Sequence, residues 1–573
     1  MQRSYQTLNA IRPYYDVVVI GAGISGLTNA ALLSKTGLSV CVLEMDARPG
    51  GYLAGFRRKD YRFDSAIHWL NQLGPDGLVT NVFDFIGKDH PTANPQKKIK
   101  RYVGTDHDYL LTDNPDNFKR TLILDFPHER KGIERFFKAA KTIGRSFHVL
   151  GRMYRSEETM SKAELIPHML KKLKYAIPFL KYLRYAGSEG VVKGLNTFFK
   201  DEKLLKVFAS EMDMLSCLVP IGWAYYGDYQ LPPTGGSQVF PEWLEHVTTS
   251  MGNDVFYRCK VNQVRTDNGK VVGVDVDHKG HSKTIMCEHV VAACDVETLY
   301  EKMLPSDAIP EKLKSKLKEA ELYSSSVTVS LALDCPTEQL GFDEEMIYLS
   351  RDEVSREEQS NGDPHTNGIS ILAPSYRDPS MAPVGAGTLT LYVPAFFDQY
   401  DHWGTELDEF GIRKRGEEYK RIKKWYADII IDRVAERFAP KLRDHIVYAD
   451  IATPITHWRY SGNRNGSMMG ARPGEANFKA KIAHYQTPVK NLILSGHWAE
   501  LGGGVPVAVK AAANTALLVM QQQRLKAAKI WANYMVGKAS LEDAERSGLF
   551  QQYNEAWTRD LTPAEKLQVN KVA

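Results

Sequence analysis

A strand, a glycine-rich turn and a helix follow one another near the N-terminus, and this succession constrains the fold more than any other feature. The β-branched run Val17–Ile20 predicts a buried parallel strand. It continues directly into the turn GAGISG at residues 21–26, and apolar residues at helical spacing follow until Gly37. The pattern predicts the first βαβ unit of a doubly wound α/β sheet.

The glycines of this turn have separate physical roles. Gly21 makes the tight turn, Gly23 lets the backbone approach a pyrophosphate, and Gly26 lets helix and strand pack closely. The helix N-terminus offers free N–H groups and the positive end of its dipole to the same pyrophosphate. A second strand ends at Glu44, about 20 residues after the last glycine, where a carboxylate can accept hydrogen bonds from an adenosine ribose. We therefore predict a dinucleotide site that contains Gly21, Gly23, Ile24, Ser25, Gly26 and Glu44.

A second glycine pair follows in the segment RPGG at residues 48–51. Gly50 and Gly51 permit another close backbone approach, and Arg48 can offset phosphate charge. The segment resembles the second diphosphate motif of flavoproteins related to amine oxidases and phytoene desaturases, and this resemblance implies FAD rather than NAD. The chain departs from the motif at Tyr52 and Ala54, where those families often carry a basic residue and a Ser or Thr.

Composition limits the classes of protein to consider. The 573 residues are too many for one simple core and predict two or three joined subdomains. With 43% apolar and 25% charged residues the chain has an ordinary globular composition, and a net charge of +4 does not by itself imply nucleic-acid binding. The six cysteines show no metal-ligand spacing, so we predict no metal site. Residues 1–13 lack the apolar core of a signal peptide, and no run is long enough to span a membrane.

Further segments along the chain resemble the phytoene desaturase superfamily, in particular the branch that holds carotenoid isomerases and retinol saturases. They are FDSAIHWL at 63–70, PTGGS at 233–237, LILSGHW at 492–498 and GGGVP at 502–506. The resemblance implies an FAD-dependent oxidoreductase that acts on C=C or CH–CH bonds of an apolar isoprenoid or polyene substrate. It also implies an α/β fold in which a discontinuous Rossmann-type FAD-binding domain carries an inserted α+β substrate domain.

The order of the predicted elements suggests how the chain is divided. Asn268-Gly269 between alternating residues predicts a hairpin, and strands over residues 325–393 predict an antiparallel sheet. We expect an FAD-binding domain from 1–75, 230–320 and 450–525, a mainly helical substrate or membrane-facing region at 76–229, an antiparallel-sheet substrate region at 321–449 and a helical tail at 526–573.

The C-terminal motif is expected near the flavin ring. Gly496, Gly504 and Val505 are assigned to the cofactor, because a helix that starts near Val505 would direct its N–H groups and dipole toward an electron-rich ring edge. Val261, in a strand expected over 255–264, is also assigned to cofactor binding.

Candidates for acid–base chemistry are few. His68 and His497 lie inside matched segments and are the proposed catalytic residues, and residues 456–460 are a further candidate wall of the substrate cavity. No Ser-His-Asp set or paired carboxylates stand out. A single GxGxxG motif argues against a second domain for NAD(P)H and leaves the electron acceptor open.

Residues 165–186 combine Leu, Ile, Phe and Tyr with basic side chains, a pattern found in helices that lie in a membrane interface. Leu173, Phe179 and Leu180 are expected on the apolar face. The hypothesis is a peripheral enzyme on the cytoplasmic side of a membrane. An ordinary core helix with a solvated basic face is the alternative.

Two other functions stay open from the sequence. One is an amine-oxidase-type flavoenzyme, which would act on a small amine and release hydrogen peroxide. The other is a non-catalytic flavin-binding scaffold, suggested by Tyr52 and Ala54. The sequence does not choose among desaturation, saturation and isomerisation, and it does not define an oligomeric state.

Overall fold

Strands from distant parts of the chain build the framework. A computed structural model describes residues 8–409, 411–553, 556–559 and 561. Its strands are β1 (Tyr14–Ile20), β2 (Val40–Leu43), β3 (Gly55–Arg58), β4 (Tyr61–Asp64), β5 (Lys98–Val103), β6 (Asp108–Thr112), β7 (Asp254–Phe256), β8 (Lys260–Asp267), β9 (Lys270–His278), β10 (His281–Ala292), β11 (Ser325–Leu333), β12 (Met346–Leu349), β13 (Ile369–Leu372), β14 (Gly387–Ala395), β15 (Glu406–Leu407), β16 (Arg413–Lys414), β17 (Ile446–Ala452) and β18 (Leu492–Leu494).

Helices cover these strands and form the region between β6 and β7. They are α1 (Ile24–Ser34), α2 (Leu78–Ile86), α3 (Pro115–Asp125), α4 (Arg130–Gly151), α5 (Lys162–Leu183), α6 (Gly187–Leu195), α7 (Glu202–Lys206), α8 (Met214–Ala224), α9 (Val239–Ser250), α10 (Val296–Thr298), α11 (Glu311–Lys318), α12 (Pro374–Arg377), α13 (Gln399–Gly404, a left-handed turn), α14 (Glu417–Phe438), α15 (Pro454–Ser461), α16 (Glu475–Ala480), α17 (Val505–Gln522), α18 (Ala527–Met535) and α19 (Leu541–Arg546). Part of the expected C-terminal tail, residues 562–573, lies outside the described residues.

The first sheet has the order β7-β2-β1-β10-β9-β8, and β18 also pairs with β10. Strands β7, β2, β1, β10 and β18 run parallel, whereas β8 and β9 form an antiparallel extension. Val17–Ile20 is buried throughout, as expected for a parallel strand covered on both faces. Helices α1 and α17 pack together, and the Asn29 amide donates to the Ala512 carbonyl at 3.1 Å. The predicted Rossmann-type α/β arrangement is confirmed.

The second sheet has the order β17-β11-β14-β13-β12-β5-β6 and is antiparallel except for the β12–β5 pair. One of its faces, which includes Val329, Ile371 and Leu391, packs against α14 in a shared apolar core. The other face is rich in hydroxyl groups and lies away from that core. Strands β5 and β6 come from a region expected to be mainly helical, and they extend this sheet.

Helix α5 presents two different faces. Phe179 packs on Phe147 of α4 with ring centroids 4.9 Å apart, and Tyr182 is buried. The expectation that Phe179 shares an outer face with Leu173 and Leu180 is therefore wrong, because helical spacing turns Phe179 toward the protein. Within the described part of the chain, no helix has both the length and the apolarity needed to cross a membrane.

Candidate functional site

The glycine turn lies at the carboxyl edge of the first sheet, where β1 gives way to α1. A Cβ atom on Gly21 would lie 2.7 Å from the Ala293 carbonyl oxygen, and one on Gly26 would lie 2.0 Å from the Gly21 carbonyl oxygen. In both cases the added Cβ would collide with a backbone carbonyl oxygen, so the turn itself requires glycine at these two positions.

Gly23 differs from its neighbours, because the protein does not need a glycine there. Its φ of −69° and ψ of 172° suit any residue, and a Cβ would meet no atom within 4 Å. Gly23 caps α1, whose first-turn N–H groups, including those of Ile24, Ser25 and Gly26, have no acceptor inside the helix. The open space over Gly23, next to free N–H groups and a positive helix end, fits the pyrophosphate of a dinucleotide.

The second glycine pair lies beside the first turn. The Gly50 N–H donates to the Ala22 carbonyl at 2.8 Å, and Gly51 lies against Gly23. The Arg48 guanidinium donates to the Gly55 carbonyl, which holds the segment in place.

Glu44 ends β2 with its carboxylate directed at the glycine turn. Its oxygens accept N–H groups from Ala22 at 2.7 Å and from Asp46 at 2.8 Å. Burial raises the pKa of Glu44, although side-chain surface remains accessible. Each oxygen keeps a second lone pair for a ribose hydroxyl. The Cys259 N–H donates to the Glu44 carbonyl at 2.8 Å, so the start of β8, with the buried Val261, runs alongside.

The C-terminal motif meets the N-terminal turn. The Ser25 and Ser495 hydroxyls are 2.7 Å apart, and a Cβ on the next residue, Gly496, would lie 3.7 Å from the Ser25 Cβ. The imidazole of His497 lies against the backbone of Gly504, the residue that caps α17 before Val505. Residues separated by most of the chain therefore surround one cleft.

Tyr52, a departure from the family motif, has defined partners in this structure. Its hydroxyl donates to the Ser467 carbonyl at 2.6 Å and accepts from the Asn463 amide at 3.1 Å. Burial raises its pKa to about 12, so the phenol stays protonated. Tyr52 ties the second glycine segment to the 463–467 segment, which the sequence alone did not reveal.

The PTGGS loop is held by a buried carboxylate. Asp64 accepts the N–H of Ser237 at 2.9 Å and its hydroxyl at 2.8 Å. A Cβ on Gly236 would lie 2.7 Å from the same carboxylate, so this contact requires a glycine. Burial raises the pKa of Asp64 to about 6. The chain continues from Asp64 to His68, and Asp64 thereby fixes the start of that segment.

His68 lies between the two sheets. Its ring stacks on Tyr392 of β14 with centroids 4.8 Å apart, and its carbonyl accepts from Arg377. Burial, assisted by the positive charge of Arg377, lowers the pKa of His68 to about 3. Burial lowers the pKa of His497 to about 4. Both imidazoles are therefore neutral at pH 7.

Several deep residues keep accessible surface and so line an internal space. They include His68, His497, Tyr348 and Tyr392. The expected wall segment 456–460 lies in α15, where His457 approaches the Ser326 hydroxyl at 3.4 Å. Tyr348 and Tyr392 were missed by sequence reasoning, because no local pattern distinguishes a strand tyrosine that faces a cavity from one in a core.

These features define the class of protein. A dinucleotide cleft at the carboxyl edge of a Rossmann-type sheet, facing a second sheet across an internal space, is the architecture of a two-domain flavoprotein. The turn around Gly23, the Gly50–Gly51 segment and Glu44 would hold the pyrophosphate and adenosine, and Gly504 and Val505 would lie toward the ring. When bound, FAD supplies hydride or electron transfer.

The chain belongs to the flavin containing amine oxidoreductase family, whose pattern matches residues 24–520. It is an oxidoreductase with FAD as its cofactor. All-trans-retinol 13,14-reductase from Danio rerio is 26% identical over 519 residues, 84% of this chain and 82% of that protein. Prolycopene isomerase from Daucus carota is 24% identical over 468 residues, 79% of this chain and 71% of that protein.

Solved structures share the fold at lower identity. Putrescine oxidase bound to putrescine is 15% identical with a TM-score of 0.57, and the match covers 89% of this chain and 99% of that one. This similarity supports the two-domain architecture only.

Proposed function

We propose that this enzyme acts on C=C or CH–CH bonds of an apolar isoprenoid or polyene substrate. The relatives named as a retinol reductase and a prolycopene isomerase support this substrate class. The charges near His68 also favour it over an amine. Arg377 is a buried cation beside His68, and a protonated amine would be repelled there.

The observation that carries the proposal is a continuous series of aromatic rings between α5 and His68. Neighbouring centroids are separated by 4.9 Å (Phe179–Phe147), 5.6 Å (Phe147–Trp223), 5.9 Å (Trp223–Tyr229), 6.0 Å (Tyr229–Trp69) and 6.5 Å (Trp69–His68). All of these except Tyr229 keep accessible surface. Partly accessible aromatic surface suits a long apolar molecule better than a small amine.

In the proposed reaction the protein positions the substrate and supplies side chains for proton transfer. The aromatic series would orient the chain of the substrate, and exclusion of water would protect the reacting carbons. His68 is the candidate acid–base group, since its stacking on Tyr392 fixes the ring. His497 lies on the Rossmann side and is the second candidate.

Product analysis with two substrate classes tests this function. Holoenzyme reduced with dithionite is incubated without oxygen with detergent-dispersed all-trans-retinol or prolycopene, and oxidised holoenzyme is incubated in air with putrescine. We expect polyene conversion and no peroxide from the amine. Peroxide release from putrescine with unchanged polyenes would instead establish the amine-oxidase alternative.

We further propose that α5 docks the enzyme on the cytoplasmic face of an anionic membrane. Apolar side chains recur at helical spacing along its outer side, and each is at least half exposed: Ile166, Met169, Leu170, Leu173, Ile177, Leu180 and Leu183. At 100° per residue the first six fall within an arc of about 100°. Lys174 and Lys181 are exposed beside this stripe. Apolar residues with flanking cations match an acyl–headgroup boundary.

A matched pair of variants tests the docking surface. Serine at Leu170, Leu173 and Leu180 should reduce cosedimentation with phosphatidylserine vesicles and leave the melting temperature unchanged. Phe179→Ser should lower the melting temperature, because Phe179 packs inward. If wild-type protein does not bind these vesicles at low salt, the docking proposal is wrong.

A further inference from the structure

A buried ion pair lies on the hydroxyl-rich face of the second sheet, which we call its inner face, at a distance from His68. The Lys100 ammonium of β5 is 2.8 Å from the Glu211 carboxylate, and both side chains are largely buried. Burial opposes the charge of Lys100, but the attraction of Glu211 outweighs it, so the pKa of Lys100 is raised and the ammonium persists. A buried ion pair is costly to desolvate, and it is weak support for stability by itself.

The register of the sheet shows that this pair lies on the same face as the tyrosines that line the internal space. Tyr392 lies opposite Ser370, Ser370 opposite Tyr348, and Tyr348 opposite Tyr102, so these side chains form one row across the inner face. At one end of the row, the ring of Tyr392 stacks on the ring of His68. Tyr348 is two strand spacings away, about 10 Å. The Lys100 ammonium is 5.4 Å from the Tyr348 ring centroid.

The pair retains hydrogen-bonding capacity toward that space. Among the described residues, Lys100 makes one hydrogen bond, to Glu211, and its ammonium lies 4.6 Å from the Tyr102 ring centroid and 5.4 Å from that of Tyr348. Glu211 keeps accessible side-chain surface, and within the described ranges its carboxylate accepts only from Lys100 and, at 3.3 Å, from Ser210. The pair therefore offers a donor and an acceptor side by side at the far end of the row from His68.

We propose that Lys100 and Glu211 bind a neutral hydroxyl group at the end of the substrate. A hydroxyl can accept from the Lys100 ammonium and donate to the Glu211 carboxylate at once. A carboxylate end would place a second negative charge next to the Glu211 carboxylate, which already pairs with the Lys100 ammonium. A hydrocarbon end would use neither group. The inference rests on the proposed polyene function and identifies an alcohol as the preferred class.

Binding of a matched set of compounds tests the subsite. All-trans-retinol, all-trans-retinoic acid and the hydrocarbon axerophthene share one polyene and differ at one end. Dissociation constants are measured by quenching of protein fluorescence in the holoenzyme at fixed detergent concentration. Each variant is compared with wild type for the same compound, because this ratio cancels differences in detergent partitioning.

The double variant Lys100→Met/Glu211→Leu replaces the pair with apolar residues of similar size. We expect retinol affinity to fall roughly tenfold to a hundredfold, and axerophthene affinity to stay within twofold. Lys98→Met is the matched control, since Lys98 lies on the same strand in an exposed ion pair with Asp343 and should change neither affinity.

Glu211→Gln provides a second test that keeps side-chain volume. Removing the negative charge should raise the affinity for retinoic acid at least tenfold, because Lys100 remains. Unchanged retinoic acid affinity in Glu211→Gln, or equal losses of retinol and axerophthene in the double variant, would overturn the subsite. If wild-type protein binds axerophthene, and the affinities for all three compounds are the same in wild type and in the variants, only the subsite proposal fails. If it binds none of the three compounds, the polyene function itself fails.

Discussion

Substitution of Gly23 by valine separates cofactor binding from folding. The backbone at Gly23 is extended, and a side chain there would enter open space, so the protein without cofactor should tolerate it. We expect the free energy of unfolding of the apoprotein to change by less than about 1 kcal/mol. The same side chain would occupy the space assigned to the pyrophosphate.

The loss of FAD affinity can be estimated from the contacts that would be blocked. Hydrogen bonds to charged groups contribute about 1.5–3 kcal/mol each. Two blocked bonds from the first turn of α1 would cost about 3–6 kcal/mol, which weakens FAD binding roughly 10²- to 10⁴-fold. Gly26→Ala is the contrasting variant, because its Cβ would lie 2.0 Å from the Gly21 carbonyl oxygen and should destabilise the fold itself.

The assay measures flavin retention after gel filtration, reconstitution of apoprotein with FAD by calorimetry, and apoprotein unfolding in urea. Gly23→Val should lose flavin and keep wild-type unfolding, whereas Gly26→Ala should lose stability. A full flavin complement in Gly23→Val would refute the assignment of the space over Gly23 to the pyrophosphate.

Three further predictions concern the same cleft. Glu44→Ala should weaken FAD binding roughly 10- to 100-fold in calorimetry, a smaller loss than in Gly23→Val. Glu44→Gln should lose less FAD affinity than Glu44→Ala, because its carbonyl can still accept one N–H. Equal FAD affinity in wild type, Glu44→Ala and Glu44→Gln would exclude a ribose contact. Tyr52→Phe should lower the free energy of unfolding by about 1–3 kcal/mol in urea titrations, since the Ser467 carbonyl loses one of its two donors and the Asn463 amide loses an acceptor, and an unchanged midpoint would contradict that contact. The pKa of His497 is about 4 when folded and about 6.5 when unfolded, so the unfolded state binds more protons between these values and stability falls as pH drops. His497→Gln should reduce this slope by up to about 1.4 kcal/mol per pH unit, and identical slopes for variant and wild type between pH 4 and pH 6.5 would disprove a buried neutral imidazole.

The parts of the fold predicted from sequence are those with local determinants. β1, the glycine turn and α1 follow from strand propensity, three glycines and helical spacing within one short segment. The hairpin at Asn268-Gly269 follows from the positive φ that both residues adopt. The alternation of hydroxyl-bearing and apolar residues in β11 likewise predicts a strand without knowledge of its neighbours.

Contacts between distant segments could not be predicted from local sequence patterns. Strand β5 pairs with β12, far along the chain, and the charged residues of β5 gave no sign of a sheet interior. Tyr52 was noted only as a departure from a motif, because its partner Ser467 depends on the complete fold. Lys100 and Glu211 were overlooked for the same reason, since neither lies in a recognisable motif.

Transformation of a polyene rather than an amine distinguishes the proposed function from the amine-oxidase alternative. The most direct test mixes dithionite-reduced holoenzyme with detergent-dispersed all-trans-retinol or prolycopene without oxygen and follows the polyene by chromatography. In parallel, oxidised holoenzyme is mixed with putrescine and the flavin spectrum is recorded. We expect a saturated or isomerised polyene and no bleaching of the flavin by putrescine. Bleaching by putrescine, with both polyenes recovered unchanged, would contradict this expectation.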